Sequence, residues 1–394
     1  MEVQLFPASL RDEEMIISGL SKMGRMFCLI LMLSVLALTS RAQLINCSPD
    51  ATGGKDTACG ERSLRQLIES DVIEEKFDEL DALADRYQRE NSRTRGGGWR
   101  LWDFYQTINH DQPNDDKEGA KYLVHLQHWV QQRPDSITAH LVLAAGYFRW
   151  GFSAPVLDFS TRRERSKMAL SELSAAEHTN KMCAQWYWMA IQIGLGQGWP
   201  PARIREIFDD GVRFSPEYSY IYTRYLQYVW ANGSKGGDLP IDAPHGSPSS
   251  DFFGNDVPQM GHSKEVADLA KSSADQIGGA NGDILYFQIA ASLLTTWHRS
   301  RDVSFDDGFP VQQLDWNRIQ RGCHALSVRF GNSERTLNQM AVMAWKYKDI
   351  KMGHRVFAAI GDKFSVEVWG DKKRFDEALK WSGAQVSEPT PNAP

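Results

Sequence analysis

The chain has few cysteines, and it lacks both a long apolar run and a stripe of basic residues. Five cysteines in 394 residues are too few for a fold held together by disulfides. The formal net charge of −6 disfavours nucleic acid as a partner, because that affinity needs clustered basic residues. The apolar stretch at residues 27–38 is too short to cross a bilayer, so we expect no stable membrane span in the mature chain.

Strand patterns and enzyme signatures are missing as well. Alternating β-branched residues do not occur in runs, which excludes a sheet-rich fold. His245-Gly246-Ser247 follows no strand, and there is no Gly-x-Ser-x-Gly elbow. The glycines at 96–98 and 194–198 are not followed by Lys-Ser or Lys-Thr, so we interpret them as helix stops. The sequence predicts no catalytic residue and no cofactor.

Acidic pairs remain the strongest indication of an enzyme. They stand at residues 209–210 and 306–307, and Glu172 and Glu177 share one helix. A helical glycosidase needs two carboxylates across a cleft lined with aromatic rings, and the chain has 13 Trp. These aromatic residues coincide with the apolar stripes of the helices, which indicates that their rings pack in the core. We therefore interpret the acidic pairs as solvated surface residues.

His125 and His128 lie on one helical face, three residues apart. A metal site needs a third ligand, and that helix offers neither Asp nor Glu at a matching position. We interpret the pair as histidines beside the core and predict no metal.

The N-terminus resembles a signal peptide. Residues 27–38 are apolar apart from Ser34, Arg25 precedes them, and Ser40 and Ala42 are the small residues of a cleavage site. Cleavage between Ala42 and Gln43 would deliver the chain to the periplasm or outside the cell. The alternative is an uncleaved amphipathic anchor.

The cysteines agree with export. Cys47 and Cys59 flank a polar loop, and in an oxidising compartment the two thiols could form a disulfide that closes this loop. The alternative is that both thiols stay free. Cys183 and Cys323 lie in apolar helices, where a lone cysteine is usually a small buried hydrophobe.

What the chain does have is a recurring turn between two helical patterns, at residues 133–136, 212–216 and 328–333. Arg133 of the first turn and Arg213 of the second lie 80 residues apart, and Arg213 and Arg329 of the third lie 116 residues apart. This second spacing falls to 87 once the Gly-, Pro-, Ser- and Asp-rich loop 232–260 is removed. Both spacings equal two units of roughly 40 residues, typical of paired-helix repeats.

These spacings predict an all-α fold, an array of antiparallel helical hairpins that forms an α-solenoid of about 13 helices. Residues 1–42 form the N-terminal extension with the signal peptide, and residues 43–60 form a polar segment. The helical repeat domain covers residues 61–382 with loop 232–260 inserted, and residues 383–394 form a disordered tail.

Individual helices follow from the periodicity. Ser136 should cap one of them, and residues 99–108 should form a short aromatic helix. The helix that carries Met168 is charged on its outer side and should lie at the surface, whereas residues 183–193 and 284–297 are apolar on every side and should be buried.

Residues 70–362 resemble a bacterial family known as domain of unknown function 4034. The residues that carry the resemblance are Phe77-Asp78-Glu79-Leu80-Asp81, residues 102–105, Pro134-Asp135-Ser136 with Ala139 and Tyr147, residues 185–188 with Gly198-Trp199, Ser215-Pro216-Glu217-Tyr218, and residues 283–286. The chain is also similar to tetratricopeptide arrays, which bind peptides and proteins along a concave face. The resemblance implies a helical-repeat fold and supplies no catalytic residue.

Two functions are compatible with these patterns. The first is an exported, non-catalytic helical-repeat scaffold that binds a protein or peptide partner, because solenoids present an extended groove. The alternative is an all-α hydrolase of cell-envelope polysaccharide, with an acidic pair in an aromatic cleft.

Overall fold

The fold is all-α, as the periodicity predicts. A computed structural model of the chain describes residues 58–110, 116–154, 158–179, 181–232, 262–299 and 313–384. Within these ranges there are sixteen helices and no strand, and Arg93 and Trp99 form an isolated bridge. The helices are α1 (Ala58–Ile73), α2 (Phe77–Arg89), α3 (Arg100–His110), α4 (Asp116–Gln132), α5 (Ile137–Ser153), α6 (Phe159–Glu177), α7 (Ala184–Gly196), α8 (Pro201–Phe214), α9 (Ser219–Asn232), α10 (Ser263–Ile277), α11 (Gly279–Arg299), α12 (Trp316–Phe330), α13 (Glu334–Lys346), α14 (Ile350–Ile360), α15 (Val366–Trp369) and α16 (Lys372–Ser382). The predicted number of about 13 is low, in part because the four-residue α15 is too short to show a helical period.

The helices form two layers. The odd-numbered helices from α3 to α13 each pack against the next odd-numbered helix, whereas the even-numbered helices from α6 to α12 pack mainly against their neighbours in sequence. We call the odd-numbered helices α5 to α13 the inner layer. This arrangement is that of stacked helical hairpins, in which each unit buries its apolar face against the next.

Composition explains which helices are inner. The described residues of α7 are mostly buried, and those of α11 nearly as much, in keeping with their apolar sequences. α6, which carries Met168, and α8, α10 and α12 instead bury one stripe and expose the other side. The prediction of a surface helix around Met168 and buried helices at 183–193 and 284–297 is therefore confirmed for the residues that the structure describes.

The turn chemistry is also as predicted at α5. The Ser136 hydroxyl accepts a hydrogen bond from the backbone N–H of Ala139 at 3.0 Å, which satisfies one of the donors left free at a helix start. Ser333 caps α13 in the same way, accepting from the N–H of Thr336 at 3.1 Å.

One stretch of chain crosses the inner layer from end to end. Residues 96–105, which we call the crossing segment, contact the inner helices in the reverse of their order in the chain. The Tyr105 hydroxyl bonds to the Thr138 hydroxyl of α5 at 3.4 Å. The Trp102 ring packs on the Trp188 ring of α7 at 4.6 Å and on the Tyr220 ring of α9 at 3.9 Å. Gln288 Nε2 of α11 donates to the Gly97 carbonyl oxygen at 3.0 Å, and the N–H of Gly96 donates to the Gly331 carbonyl oxygen beside α13 at 3.2 Å. The crossing segment therefore covers part of the inner layer with the chain's own residues.

The glycines at 96–98 belong to this segment, which corrects their interpretation as a helix stop. α2 already ends at Arg89, and Asn91 turns the chain with a φ of 49°. Gly96 has a φ of +80°, and a Cβ at this position would overlap the Ser333 and Thr336 side chains. Glycine is needed here because the backbone approaches α13 too closely for a side chain.

Several predictions concern residues outside the described ranges. The apolar stretch 27–38, the cleavage site at Ala42 and Gln43, and Cys47 all lie there, so export and the pairing of Cys47 with Cys59 stay predictions. Loop 232–260 beyond Asn232 and the tail after residue 384 lie outside as well. Of the helices that the structure describes, none combines the length and the apolar character that crossing a membrane requires.

Candidate functional site

A cleft opens where α2 meets the turn between α4 and α5. Its volume is about 340 Å³, and its walls come from α2, from residues 132–138 and from Lys181 before α7. None of the described residues that line it is aromatic. The volume is at the lower end of the range for ligand pockets, which suits one or two side chains of a partner.

Ser136 joins the two main walls of the cleft. Its hydroxyl donates a hydrogen bond of 2.6 Å to Asp81 Oδ1 of α2 while it caps α5. The Asp81 carboxylate therefore stands at the N-terminus of α5, where the helix dipole favours negative charge. Burial nevertheless raises the pKa of Asp81, against the lowering effects of the Ser136 hydrogen bond and of Arg133.

The remaining charges of the cleft are only partly neutralised. Arg133 pairs with Asp78 through Nη1 and lies 3.6 Å from Asp81 Oδ2 through Nε. Asp85, Asp135 and Lys181 are exposed on the walls. The cleft thus presents carboxylates, an ammonium group and main-chain polar atoms to solvent in one small space.

His140, in the first turn of α5, links the turn of residues 133–136 to α6. Its Nδ1 is 2.7 Å from Glu172 Oε2 of α6, and its Nε2 is 2.9 Å from the carbonyl oxygen of Pro134. The His140 side chain is only 9% exposed. The hydrogen bond to Glu172 raises the pKa of His140, and the bond to Pro134 adds to this, whereas burial acts in the opposite direction.

His125 and His128 meet a carboxylate that does not come from their own helix. Glu75, in the turn between α1 and α2, places Oε1 at 3.2 Å from His125 Nδ1 and 2.8 Å from His128 Nδ1. The hydrogen bond to His128 is the main cause that lowers the pKa of Glu75. Among the described residues, no group of three or more His, Cys, Asp or Glu is arranged to hold a metal ion.

The acidic pairs singled out in the sequence are not brought together across a cleft in the described part of the chain. Asp209 pairs with Arg205 at 2.9 Å and Asp210 with Arg213 at 3.1 Å, both on the exposed side of α8. Glu172 is held by His140. Residues 306–307 lie outside the described ranges.

Cys183 and Cys323 are free; Cys183 is buried and Cys323 is partly buried against the core. Burial raises the pKa of Cys183 to about 11 and that of Cys323 to about 12. Thiols with such a pKa carry almost no thiolate near neutral pH and are poor nucleophiles. This agrees with their interpretation as small core residues.

The sequence could not identify the cleft. The capping motif Pro134-Asp135-Ser136 marks the turn, but nothing in it indicates that Asp81 or Lys181 lies opposite. The comparisons add no further guide, since none of the family models, curated proteins or solved structures compared with the chain matches it. The resemblance to domain of unknown function 4034 stays a prediction.

Proposed function

We propose that this protein is an exported, non-catalytic helical-repeat scaffold that binds a protein or peptide partner. The observation that carries the proposal is the cleft between α2, the α4–α5 turn and Lys181, which has room for side chains of a partner and walls of mixed charge. Export rests on the signal-like residues 27–38.

The inner layer is a poorer candidate for the partner surface. In a solenoid, this layer usually supplies the binding groove. Here the crossing segment lies against it, with Trp99 only 4% exposed and Phe104 and Tyr105 only 1% exposed. Removing this segment would expose a large apolar surface, so the partner is better accommodated at the cleft.

The chemistry of the cleft suits a polar, charged partner segment. Asp85 and Asp135 can accept hydrogen bonds, Lys181 can donate them, and each is exposed on the wall of the cleft. Charged pairs of this kind contribute more to specificity and association rate than to affinity. We therefore expect a partner that is selected by its charge pattern.

A charge-reversal experiment tests this function. The wild-type chain and the variants Asp85→Lys and Lys181→Glu are used to capture partners from an envelope extract of the native host, and each captured partner is then titrated by calorimetry. Binding should weaken at least tenfold in both variants. Lys264→Glu, an exposed lysine of α10 in an ion pair with Asp268, is the matched control and should bind like the wild type. Equal binding by all four proteins would rule out the cleft.

The alternative, a hydrolase of envelope polysaccharide, is best supported by Asp81. Its pKa is raised by burial, as a general acid requires, and Asp85 stands one helical turn away on α2. The absence of aromatic rings among the described lining residues argues against sugar binding. Release of reducing sugar from envelope polysaccharide, lost in both Asp81→Asn and Asp85→Asn, would establish this alternative.

A further inference from the structure

His140 is placed between two hydrogen-bond acceptors, a carboxylate on one side and a carbonyl on the other. An imidazolium ring has two N–H donors and satisfies both, whereas a neutral ring has only one. If the neutral ring donates to Glu172, the lone pair of Nε2 faces the lone pairs of the Pro134 oxygen at 2.9 Å. Loss of the proton therefore converts one attractive contact into a repulsive one.

We propose that His140 is a pH-sensitive latch, which holds the turn of residues 133–136 closed against α6 when its ring is protonated and releases that turn when its ring is neutral. The proposal deepens the proposed function, because this turn is one wall of the cleft. Release would alter the position of Asp135 and of Ser136, and through Ser136 the contact with Asp81.

The charged groups around the ring act in the same direction. Glu172 faces it from α6 and Asp135 from the turn, and both stabilise the protonated form. On α5 itself, Tyr147 interacts with the same Glu172, and burial raises the pKa of its hydroxyl, so it adds no charge across this pH range. The raised pKa of His140 places the change above the ordinary histidine value of about 6.5.

Amide hydrogen exchange measures directly whether the hydrogen bonds of the turn are formed. The N–H of Ser136 bonds to the Arg133 carbonyl at 3.0 Å, and the N–H of Ala139 bonds to the Ser136 hydroxyl. Protection factors of these two amides are measured from pH 5.5 to pH 9 on the full chain, alongside the ring ¹⁵N shifts of His140. The amide of Thr336, capped by Ser333 in the same geometry, is the internal control.

We expect the protection of the two turn amides to fall several-fold as His140 loses its proton, while that of Thr336 stays constant. In Glu172→Gln, which removes the charge but keeps the shape, the midpoint should move to lower pH together with the His140 titration. In His140→Gln the protection should not depend on pH across this range. Constant protection in the wild type, or a His140 ring that is already neutral at pH 6.5, would overturn the latch.

The experiment needs no partner, so it separates the latch from the proposed function. Exchange that follows His140 while both cleft variants bind normally would retain the latch and reject the cleft as the partner site. Partner binding that depends on the cleft while exchange ignores His140 would do the reverse.

Discussion

The crossing segment and the cleft adjoin at Thr138, which bonds to Tyr105 and also lines the cleft, and the two regions are built from opposite chemistry. The crossing segment fills its space with aromatic rings and a glycine backbone, so that Trp102 stacks on Tyr220 at 3.9 Å and Gly96 contacts Gly331. The cleft leaves its space open and lines it with Asp85, Asp135 and Lys181.

The difference separates stability from recognition. Apolar surface removed from water stabilises a fold in proportion to its area, so the crossing segment ties the first helices to α11 and α13. Exposed charges contribute little to stability, because water screens them, and they remain available to a partner. This division can be tested by substitutions in the two regions.

Removing Trp99 should break the crossing segment. Its ring is buried, lies 4.9 Å from the Tyr218 ring, and has the Arg93 guanidinium stacked on it at 3.2 Å. Trp99→Ala should lower the free energy of unfolding by about 3–5 kcal/mol in urea denaturation. Phe214→Ala, at an aromatic position that is 43% exposed, should cost less than about 1 kcal/mol. Equal losses would show that the crossing segment adds no particular stability.

A methyl group at Gly96 should separate close packing from backbone strain. Gly361 also has a positive φ, +63°, but no neighbouring atom within 4 Å of a Cβ built there. Gly361→Ala should therefore cost only the strain, about 1 kcal/mol, whereas Gly96→Ala adds the overlap with α13 and should cost about 2–4 kcal/mol. If both substitutions have the same effect, the backbone at Gly96 does not approach α13 closely enough to exclude a methyl group.

Removing the Ser136 hydroxyl should weaken the wall of the cleft. The substitution Ser136→Ala removes the cap of α5 and leaves Asp81 Oδ1 without its donor, so the free energy of unfolding should fall by about 1–3 kcal/mol. Ser333→Ala removes a cap without such a carboxylate and should cost about 1 kcal/mol. If the two variants are equally stable, the hydrogen bond from Ser136 to Asp81 contributes nothing to the free energy of unfolding.

The smallest effect should be the pH dependence that His140 contributes. Because its pKa is raised on folding, its contribution is fully present below the unfolded value of about 6.5 and is lost as the pH rises through the folded value. Wild-type stability should therefore fall relative to His140→Gln as the pH is raised from 6 to 9. Parallel pH profiles of the two proteins in urea denaturation would contradict the expected linkage.

Local pattern accounts for much of the fold. The recurring turns, the cap at Ser136, the short helix after residue 99 and the burial of α7 follow from spacing and composition, because helices repeat every 3.6 residues and bury their apolar side. The candidate site could not be predicted in this way. Glu75 bonds to His125 across a sequence separation of 50 residues, and Glu172 bonds to His140 across 32. Contacts at such separations produce no periodic pattern in the sequence.

The sequence by itself determined that this protein is an all-α array of stacked hairpins, and which of its helices are buried. These properties depend on neighbours within one or two turns of the same helix. Only the tertiary structure decided that residues 96–105 cross the inner layer, that glycine is required at Gly96, and that Asp81 and Lys181 share a cleft. Such contacts join surfaces that are adjacent only after the hairpins have stacked, so their physical cause is packing geometry and not local preference.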